Sequence, residues 1–252
     1  MELIYTKILE VLKSGEVTAV CTVVATRGSS PLKAGAKMIV WENGKIFGTI
    51  GGGPVEQSTI EDAIRVIKKR TPERIVHDLK AQHEMCCGGS MEIFIEPLMP
   101  SKKLFMFGGG HVGKAVVKHA LDLDFDITVI DSREEIFNDW PFSGYHTVIG
   151  DYPKMLPTLS FDDNTFIVIA TPDHPTDNEV LAFCIRRAHR YLGMIGSKNK
   201  VATMRKNLLT GNIATEEELD RVDMPVGVDI HAVTADEIAI SIVARLIQEK
   251  NK

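Results

Sequence analysis

The feature that most constrains this chain is a glycine motif placed between two strand-like segments. Residues 104–107 form a short apolar run typical of a buried strand. Gly108, Gly110 and Gly113 follow with the spacing Gly-x-Gly-x-x-Gly, and a helical pattern of apolar residues comes next. A second strand-like run then ends at Asp131, 18 positions after Gly113. This order is typical of a unit that binds a dinucleotide.

Each part of the motif has a physical role. The glycines allow a tight turn and close approach of the backbone to a phosphate, while the helix N-terminus offers unpaired N–H groups. Asp131 is a candidate ribose-binding carboxylate that favours NAD over NADP, although Arg133 could moderate this preference. His111 could contact a phosphate or cap the helix. The alternative is a glycine turn that binds nothing.

A second junction between glycines and a helix lies in the first half of the chain. Gly51, Gly52 and Gly53 follow a predicted hairpin and precede Pro54, which suits a first helical turn. The junction is a second candidate anion site, and a tight structural turn is the alternative. Glu56 complements the helix dipole, but a role as a helix-capping acid would explain it equally well.

Composition excludes several classes of function. The net charge of −5 gives no general attraction to nucleic acid or to acidic membranes. No apolar run approaches the roughly 18 residues of a membrane span, and the N-terminus does not resemble a secretion signal. The four cysteines form neither a zinc spacing nor a disulfide framework, because Cys21 and Cys184 lie in apolar segments and Cys86 adjoins Cys87. We therefore expect a cytoplasmic protein without nucleic-acid or membrane partners.

Two prolines and a basic pair interrupt the pattern over residues 96–103, so we expect a domain boundary there. The N-terminal domain would cover residues 1–98 and the C-terminal domain residues 103–252. The second half alternates strands with helices, one of which is predicted to continue from Cys184 to His189. The predicted fold class is α/β, with a small α+β domain before a doubly wound parallel sheet that binds ligands at its carboxyl strand ends.

Polar residues follow two predicted strands of the second half. His174 and Asp177 come after a buried strand, where they could transfer a proton or merely order a loop. Lys198 and Lys200 come after the next strand and look like anion-facing residues, although lysines in loops are more often simply solvated.

These motifs resemble the XdhC/CoxI family, accessory proteins for molybdenum hydroxylases such as xanthine dehydrogenase, over nearly the whole chain. The matching stretches are 28–31, 35–38, 48–53 with Glu56, 87–89, 95–97, 108–113, 131–133, Thr171 with His174 and Asp177, 193–198 with Lys200, 225–229 and 237–242. The resemblance implies a small N-terminal domain followed by a Rossmann domain, in a homodimer. It implies binding of the molybdenum cofactor (molybdopterin), help with its sulfuration, and delivery to an apo-hydroxylase.

The resemblance also implies roles for particular residues. Cys87 becomes the candidate catalytic thiol and metal ligand, because a thiolate is a soft ligand for molybdenum or sulfur; an inert buried cysteine is the alternative. Ser197 and Lys198 lie in a matched stretch and become candidate cofactor-binding residues. The implied partners are the apo-hydroxylase and a sulfur donor such as a cysteine desulfurase.

Three departures from the family pattern affect this interpretation. Leu32 stands where the family often has arginine, which weakens the case for a bidentate anion contact there. Some members carry a cysteine where this chain has Gly53 and Pro54, so sulfur chemistry must rest on Cys86 or Cys87. His231 stands where glycine is usual, and nothing in the sequence explains it.

Two hypotheses of different classes therefore stand. The first is a cofactor-binding chaperone for a molybdenum hydroxylase, without turnover of its own. The second is an NAD(P)-dependent oxidoreductase, which needs a proton donor beside the nicotinamide, and only His174 is a plausible candidate. The predicted fold is compatible with both hypotheses, and the family resemblance favours the first.

Overall fold

The computed structural model describes residues 2–81 and 88–252. The chain divides into two compact units, Met1–Pro100 and Ser101–Lys252, which we call the N-terminal unit and the C-terminal unit. The first contains an antiparallel sheet and the second a parallel sheet, each with helices. The predicted fold class is therefore confirmed. None of the helices in the described part of the chain has the length and apolar character needed to cross a membrane.

The N-terminal unit is built around a five-stranded antiparallel sheet with the order β3-β2-β1-β5-β4. Its elements are α1 (Glu2–Ser14), β1 (Thr18–Arg27), β2 (Lys37–Trp41), β3 (Ile46–Gly48), α2 (Gly53–Lys69), β4 (Glu73–Asp78) and β5 (Ser90–Leu98). The hairpin predicted before Gly51 is confirmed, since β2 and β3 pair in antiparallel through a turn that contains Asn43 and Gly44.

Helices cover both faces of this sheet because successive strand residues point to opposite sides. Val20 of β1 packs with Val11 of α1, whereas its neighbour Cys21 packs in a separate cluster with Val66 of α2. Helices thus pack on both faces of the sheet, while the outer strand β4 leaves Val76 exposed.

The C-terminal unit contains the predicted strand–helix alternation. Its elements are β6 (Lys102–Phe107), α3 (His111–Ala120), β7 (Phe125–Asp131), a 3-10 turn (Glu134–Phe137), β8 (His146–Ile149), α4 (Tyr152–Met155), a 3-10 turn (Leu156–Thr158), β9 (Thr165–Ile169), α5 (His174–Cys184), β10 (Tyr191–Met194), α6 (Lys198–Thr210), α7 (Glu216–Asp220) and α8 (Ala235–Lys250). All neighbouring strands pair in parallel, in the order β10-β9-β6-β7-β8.

Two apolar layers hold the helices on the sheet. Phe107 on one face packs with Leu181 of α5, while Met106 on the other packs with Val116 of α3 and Ile242 of α8. The chain adds β7 and β8 on one side of β6 and then returns to place β9 on the other. The carboxyl ends of β6 and β9 therefore form a topological switch point, where open α/β sheets bind ligands.

One predicted helix is shorter than expected. We expected helix to continue from Cys184 to His189, but α5 ends at Cys184. Beyond Cys184 the backbone N–H of Arg187 bonds the carbonyl oxygen of Cys184 at 2.9 Å, and the N–H of Arg190 bonds the carbonyl oxygen of Thr165 at 2.8 Å as the chain enters β10.

Candidate functional site

The glycine turn after β6 is tightly packed at its ends and open in its middle. Gly108 has φ +100°, and a Cβ there would lie 2.0 Å from the carbonyl oxygen of Ala170. A Cβ at Gly113 would lie 1.9 Å from the carbonyl oxygen of Gly108. At Gly110, in contrast, a Cβ would meet no atom within 4 Å. The first and last glycines thus allow close packing, while the backbone at Gly110 is open to a ligand.

The N-terminus of α3 adds hydrogen-bond donors to this turn. Gly110 is its N-cap and receives no side-chain cap, and the first turn holds no acidic residue. The first N–H groups of a helix have no intrahelical partner, so those from Gly110 onward are available to a phosphate. His111, the first residue of α3, has an exposed side chain.

Asp131 faces the protein at the end of β7. Its side chain is fully buried, and Oδ2 accepts from the backbone N–H of Gly109 at 2.8 Å. Oδ1 accepts from the backbone N–H of Arg133 at 3.0 Å. The guanidinium of Arg133 adds two bonds of 2.9 Å, from Nε to Oδ1 and from Nη2 to Oδ2. Burial alone would raise the pKa of Asp131, but these hydrogen bonds outweigh it and hold the pKa below its ordinary value.

Gly109 and its covering segment were missed by the sequence analysis. A Cβ at Gly109 would lie 2.5 Å from Cδ1 of Ile136 and 3.3 Å from the ring of Phe137. These residues belong to the 3-10 turn that replaces a full helix between β7 and β8. The signal in the sequence was the middle one of three consecutive glycines, since the Gly-x-Gly-x-x-Gly spacing does not require a glycine at position 109.

His174 and Asp177 lie next to the glycine turn through the loop that follows β9. Oδ1 of Asp177 accepts from the backbone N–H of Thr171 at 2.9 Å and from its hydroxyl at 2.6 Å. Nδ1 of His174 lies 3.7 Å from Oδ2 of Asp177, beyond hydrogen-bond distance. Burial raises the pKa of Asp177, although the bonds from Thr171 partly oppose it. Asp177 therefore orders the loop, and His174 stands exposed at the start of α5.

Ser197 and Lys198 lie farther along the sheet, after β10. Ser197 is the N-cap of α6 and accepts from the backbone N–H of Lys200. Lys198 lines a cavity of about 320 Å³ together with residues of the 225–232 segment, among them Asp229 and His231. His231 has φ +57°, a conformation that explains why glycine would suit its position.

In the N-terminal unit, Glu56 occupies the turn formed by Gly51, Gly52 and Gly53. Its Oε2 accepts from the backbone N–H groups of Ile50 at 3.1 Å and Gly52 at 3.2 Å, and from the Thr49 hydroxyl. Burial would raise the pKa of Glu56, but these donors outweigh it and lower the pKa. The carboxylate of Glu56 thus occupies much of the turn that was predicted to bind an anion. Glu56 acts as the helix-capping acid, which was the alternative that the sequence left open.

The loops around this turn converge within the N-terminal unit. A Cβ at Gly51 would lie 2.4 Å from Cβ of Pro31, and Gly88 forms a bridge with Ser29. Cys86 and Cys87, which precede Gly88, lie outside the described residues. Among the residues that the structure does describe, no group of three or more His, Cys, Asp or Glu side chains could hold a metal ion.

The structure thus brings the predicted residues together in three places. The glycine turn after β6 contains or adjoins six of them: Gly108, Gly110, His111, Gly113, Asp131 and Arg133. His174 and Asp177 adjoin the same turn through Thr171. Lys198 lines the cavity after β10, and Ser197 precedes it as the N-cap of α6. Gly51, Gly52, Gly53 and Glu56 form a separate turn in the N-terminal unit.

Two family profiles match this chain. The profile described as the XdhC Rossmann domain covers residues 104–246, and that of the XdhC and CoxI family covers residues 11–78. The chain is also similar to a protein of Bacillus halodurans whose crystal structure is described as a xanthine dehydrogenase. The similarity has a TM-score of 0.54 and 23% identity, and covers 97% of this chain and 95% of the other. At that identity the likeness concerns the fold alone.

Three curated proteins are similar in sequence. The uncharacterized protein YqeB of Escherichia coli (strain K12) is 35% identical, over 92% of this chain and 43% of its own length. A probable xanthine dehydrogenase subunit of Bacillus subtilis (strain 168) is 29% identical, over 64% of this chain and 46% of its own. The molybdenum cofactor insertion chaperone PaoD of E. coli (strain K12) is 22% identical, over 96% and 88% respectively. The chain therefore spans less than half the length of the first two relatives.

Proposed function

This chain belongs to the XdhC and CoxI family, and from that premise we propose that it binds molybdenum cofactor and assists its sulfuration and insertion into an apo molybdenum hydroxylase of the xanthine dehydrogenase type. Membership of the family confirms the resemblance carried by the motifs. The names of two relatives, a molybdenum cofactor insertion chaperone and a probable xanthine dehydrogenase subunit, support this role. The chain would act as a chaperone and hold the cofactor as cargo.

The observation that carries the proposal is the open backbone at Gly110. Gly110 lies at the switch point of a parallel sheet, and a Cβ on it would have no neighbour within 4 Å. Gly108 and Gly113, the other two glycines of the motif, are tightly packed. Unpaired N–H groups at the start of α3 would bind a phosphate of the pterin cofactor or of an attached nucleotide. His111 would lie beside that phosphate. Ser197 and Lys198 are proposed as further cofactor contacts.

Cys87 is proposed as the soft ligand that holds molybdenum or carries sulfur. The support is chemical, since a thiolate is the side chain best suited to both tasks, and the two described cysteines are buried. The glycine pair that follows Cys87 lies against the Gly28–Ser29 loop, where a Cβ at Gly89 would come within 2.3 Å of the carbonyl oxygens of Arg27 and Ser29. A cysteine desulfurase as sulfur donor and a second copy of the chain are the proposed further partners.

The alternative function is an NAD(P)-dependent oxidoreductase with His174 as proton donor. The exposed position of His174 beside the glycine turn favours it, but the pairing that would orient the ring is lacking, because Asp177 is engaged by Thr171 and lies 3.7 Å away. The two functions differ in whether the chain itself turns over a substrate. Oxidation of NADPH or NADH by a carbonyl substrate in the presence of the purified protein, lost in His174→Ala, would support the oxidoreductase.

The proposed function is tested in cells that lack this chain. We expect the partner hydroxylase to accumulate folded but deficient in molybdenum or in sulfurated cofactor, with activity restored by the wild-type chain. Cys87→Ser should fail to restore activity, whereas Cys184→Ser, a change at a buried thiol, should succeed. Full hydroxylase activity without the chain would refute the accessory role. Full activity with Cys87→Ser would remove only the cysteine from it.

A further inference from the structure

The carboxylate of Asp131 has no acceptor position left for a ligand. An ionised carboxylate offers about four lone-pair sites. Each oxygen of Asp131 accepts two hydrogen bonds from the chain, Oδ1 from the backbone and Nε of Arg133, and Oδ2 from Gly109 and Nη2 of Arg133. The side chain is also fully buried. A ribose hydroxyl could bond Asp131 only by displacing one of these donors, and a buried donor left unpaired is costly.

Arg133, in contrast, presents donors outward at the same place. Its side chain is 37% exposed, and Asp131 engages only Nε and Nη2. Within residues 2–81 and 88–252, no acceptor bonds Nη1. The same oxygen of Asp131 binds both Nη2 of Arg133 and the N–H of Gly109, so the guanidinium is fixed beside the glycine turn. Glu134 and Glu135, the nearby acids of the 3-10 turn, are exposed and make no hydrogen bond to Arg133 in the described part of the chain.

From this arrangement we infer that the subsite beside the glycine turn selects a phosphate monoester, which Arg133 recognises, in place of a free ribose diol. An approaching ligand meets guanidinium and backbone donors, while the negative charge of Asp131 is buried and neutralised. Arginine suits this task because its planar fork matches phosphate oxygens. Asp131 is a positioning residue that holds Arg133 in place. The inference rests on the proposed function and reverses the preference for NAD expected from the sequence.

A phosphate monoester next to this turn could come from two sources. One is the 2′-phosphate that distinguishes NADP from NAD, and the other is the terminal phosphate of the pterin cofactor. Two matched pairs of probes separate them in calorimetric titrations of the full chain. The first pair is NADP and NAD, and the second is the oxidised pterin derivative of the cofactor before and after treatment with a phosphatase.

We expect the phosphorylated member of one pair to bind about tenfold more tightly or better, because hydrogen bonds to charged groups are of that strength. The pair that shows the difference identifies the source. Arg133→Leu should remove the difference, Arg133→Lys should keep part of it, and Arg221→Leu, which changes an exposed arginine paired with Glu217, should leave it intact. The wild-type comparison needs no variant, so misfolding of Arg133→Leu would not remove the test.

Equal affinities within both pairs, tighter binding of the unphosphorylated members, or no binding of any probe would overturn the inference. Each of these results can coexist with a chain that restores hydroxylase activity in cells, and the accessory role in the proposed function would then stand. The reverse result is also possible: the chain selects the phosphorylated probe, but its deletion leaves the hydroxylase fully active. That result would refute the proposed function and leave the inference about Arg133 standing.

Discussion

Asp131 and Arg133 form a bidentate ion pair two residues apart, with Nε–Oδ1 and Nη2–Oδ2 distances of 2.9 Å each. Oδ2 also accepts the N–H of Gly109, so the pair links the end of β7 to the turn after β6. One interaction thereby sets the shape of the glycine turn and the position of an outward-facing guanidinium. Its loss should affect both stability and ligand selection.

Asp131→Asn should lower the free energy of unfolding of the C-terminal unit by about 1–3 kcal/mol, because an amide cannot satisfy four donors as a carboxylate does. Urea unfolding followed by Trp140 fluorescence in a Trp41→Phe background would measure this, since Trp140 lies in that unit. Asp126→Asn in the same strand, whose side chain is 51% exposed, is the matched control and should change little. Equal effects of the two substitutions would contradict the role assigned to the pair.

The decrease in the free energy of unfolding caused by Asp131→Asn should depend on pH. The folded-state pKa of Asp131 lies below its ordinary value of 3.8, so ionisation favours the folded state, and this stabilisation is present above that value. It is lost as the pH falls through the lowered pKa, and the wild-type and variant curves should then converge. Unfolding measured in steps from pH 7 to pH 2 would show this; a difference that grows in acid would exclude it.

The pKa of Asp177 should be shifted in the opposite direction from that of Asp131. Its pKa is raised above 3.8 because it is buried, so its ionised form opposes folding above the raised pKa, and protonation relieves that cost as the pH falls. Carboxyl NMR should show Asp177 taking up its proton at higher pH than Asp131. Asp177→Asn should therefore destabilise the fold less at pH 7 than Asp131→Asn. The reverse order of titration would contradict the geometry of both sites.

Two glycines of the same motif should respond differently to alanine. Gly113→Ala places a Cβ 1.9 Å from the carbonyl oxygen of Gly108, so the free energy of unfolding should fall by about 1–3 kcal/mol or more. Gly110→Ala meets no atom within 4 Å and should leave stability nearly unchanged. It should nevertheless weaken binding of the phosphorylated probe, since the methyl group would occupy the open face. A destabilised Gly110→Ala, or one that binds normally, would argue against a ligand at this turn.

Glu56→Ala should destabilise the N-terminal unit by about 1–3 kcal/mol, because the N–H groups of Ile50 and Gly52 lose their acceptor. The measurement is unfolding followed by Trp41 fluorescence in a Trp140→Phe background. Glu61→Ala, on the exposed face of the same helix, is the control and should lie within about 0.5 kcal/mol of the wild type. If Glu56→Ala matched that control, the carboxylate would not hold the turn.

Cys21 and Cys184 should resist alkylation in the folded chain. Burial raises the pKa of each thiol to about 12, so almost no thiolate forms at pH 8. Mass spectrometry after brief treatment with iodoacetamide should find both unlabelled, and labelled once the chain is unfolded in urea. Labelling of either at the rate of a free thiol in the folded protein would contradict its burial.

The sequence by itself determined the fold class and where the glycine turns lie. A short apolar run predicted β6, and the Gly-x-Gly-x-x-Gly spacing after Phe107 predicted a turn into a helix, because both signals arise within a few consecutive residues. The end of α5 could not be predicted in this way. After Cys184 the chain returns to the sheet, where the N–H of Arg190 bonds the carbonyl oxygen of Thr165, a residue 25 positions earlier in the chain.

Only the tertiary structure decided what the acidic residues bind. An acid after a strand or at the start of a helix has the same sequence pattern whether it faces a ligand or the chain. Asp131 turns inward because Gly109, 22 positions earlier in the chain, and Arg133 supply four donors around it, whereas Glu56 bonds Ile50 and Gly52 within six residues of itself. A buried carboxylate is stable only when its lone pairs are satisfied, and those partners come together only when the strands and turns have assembled.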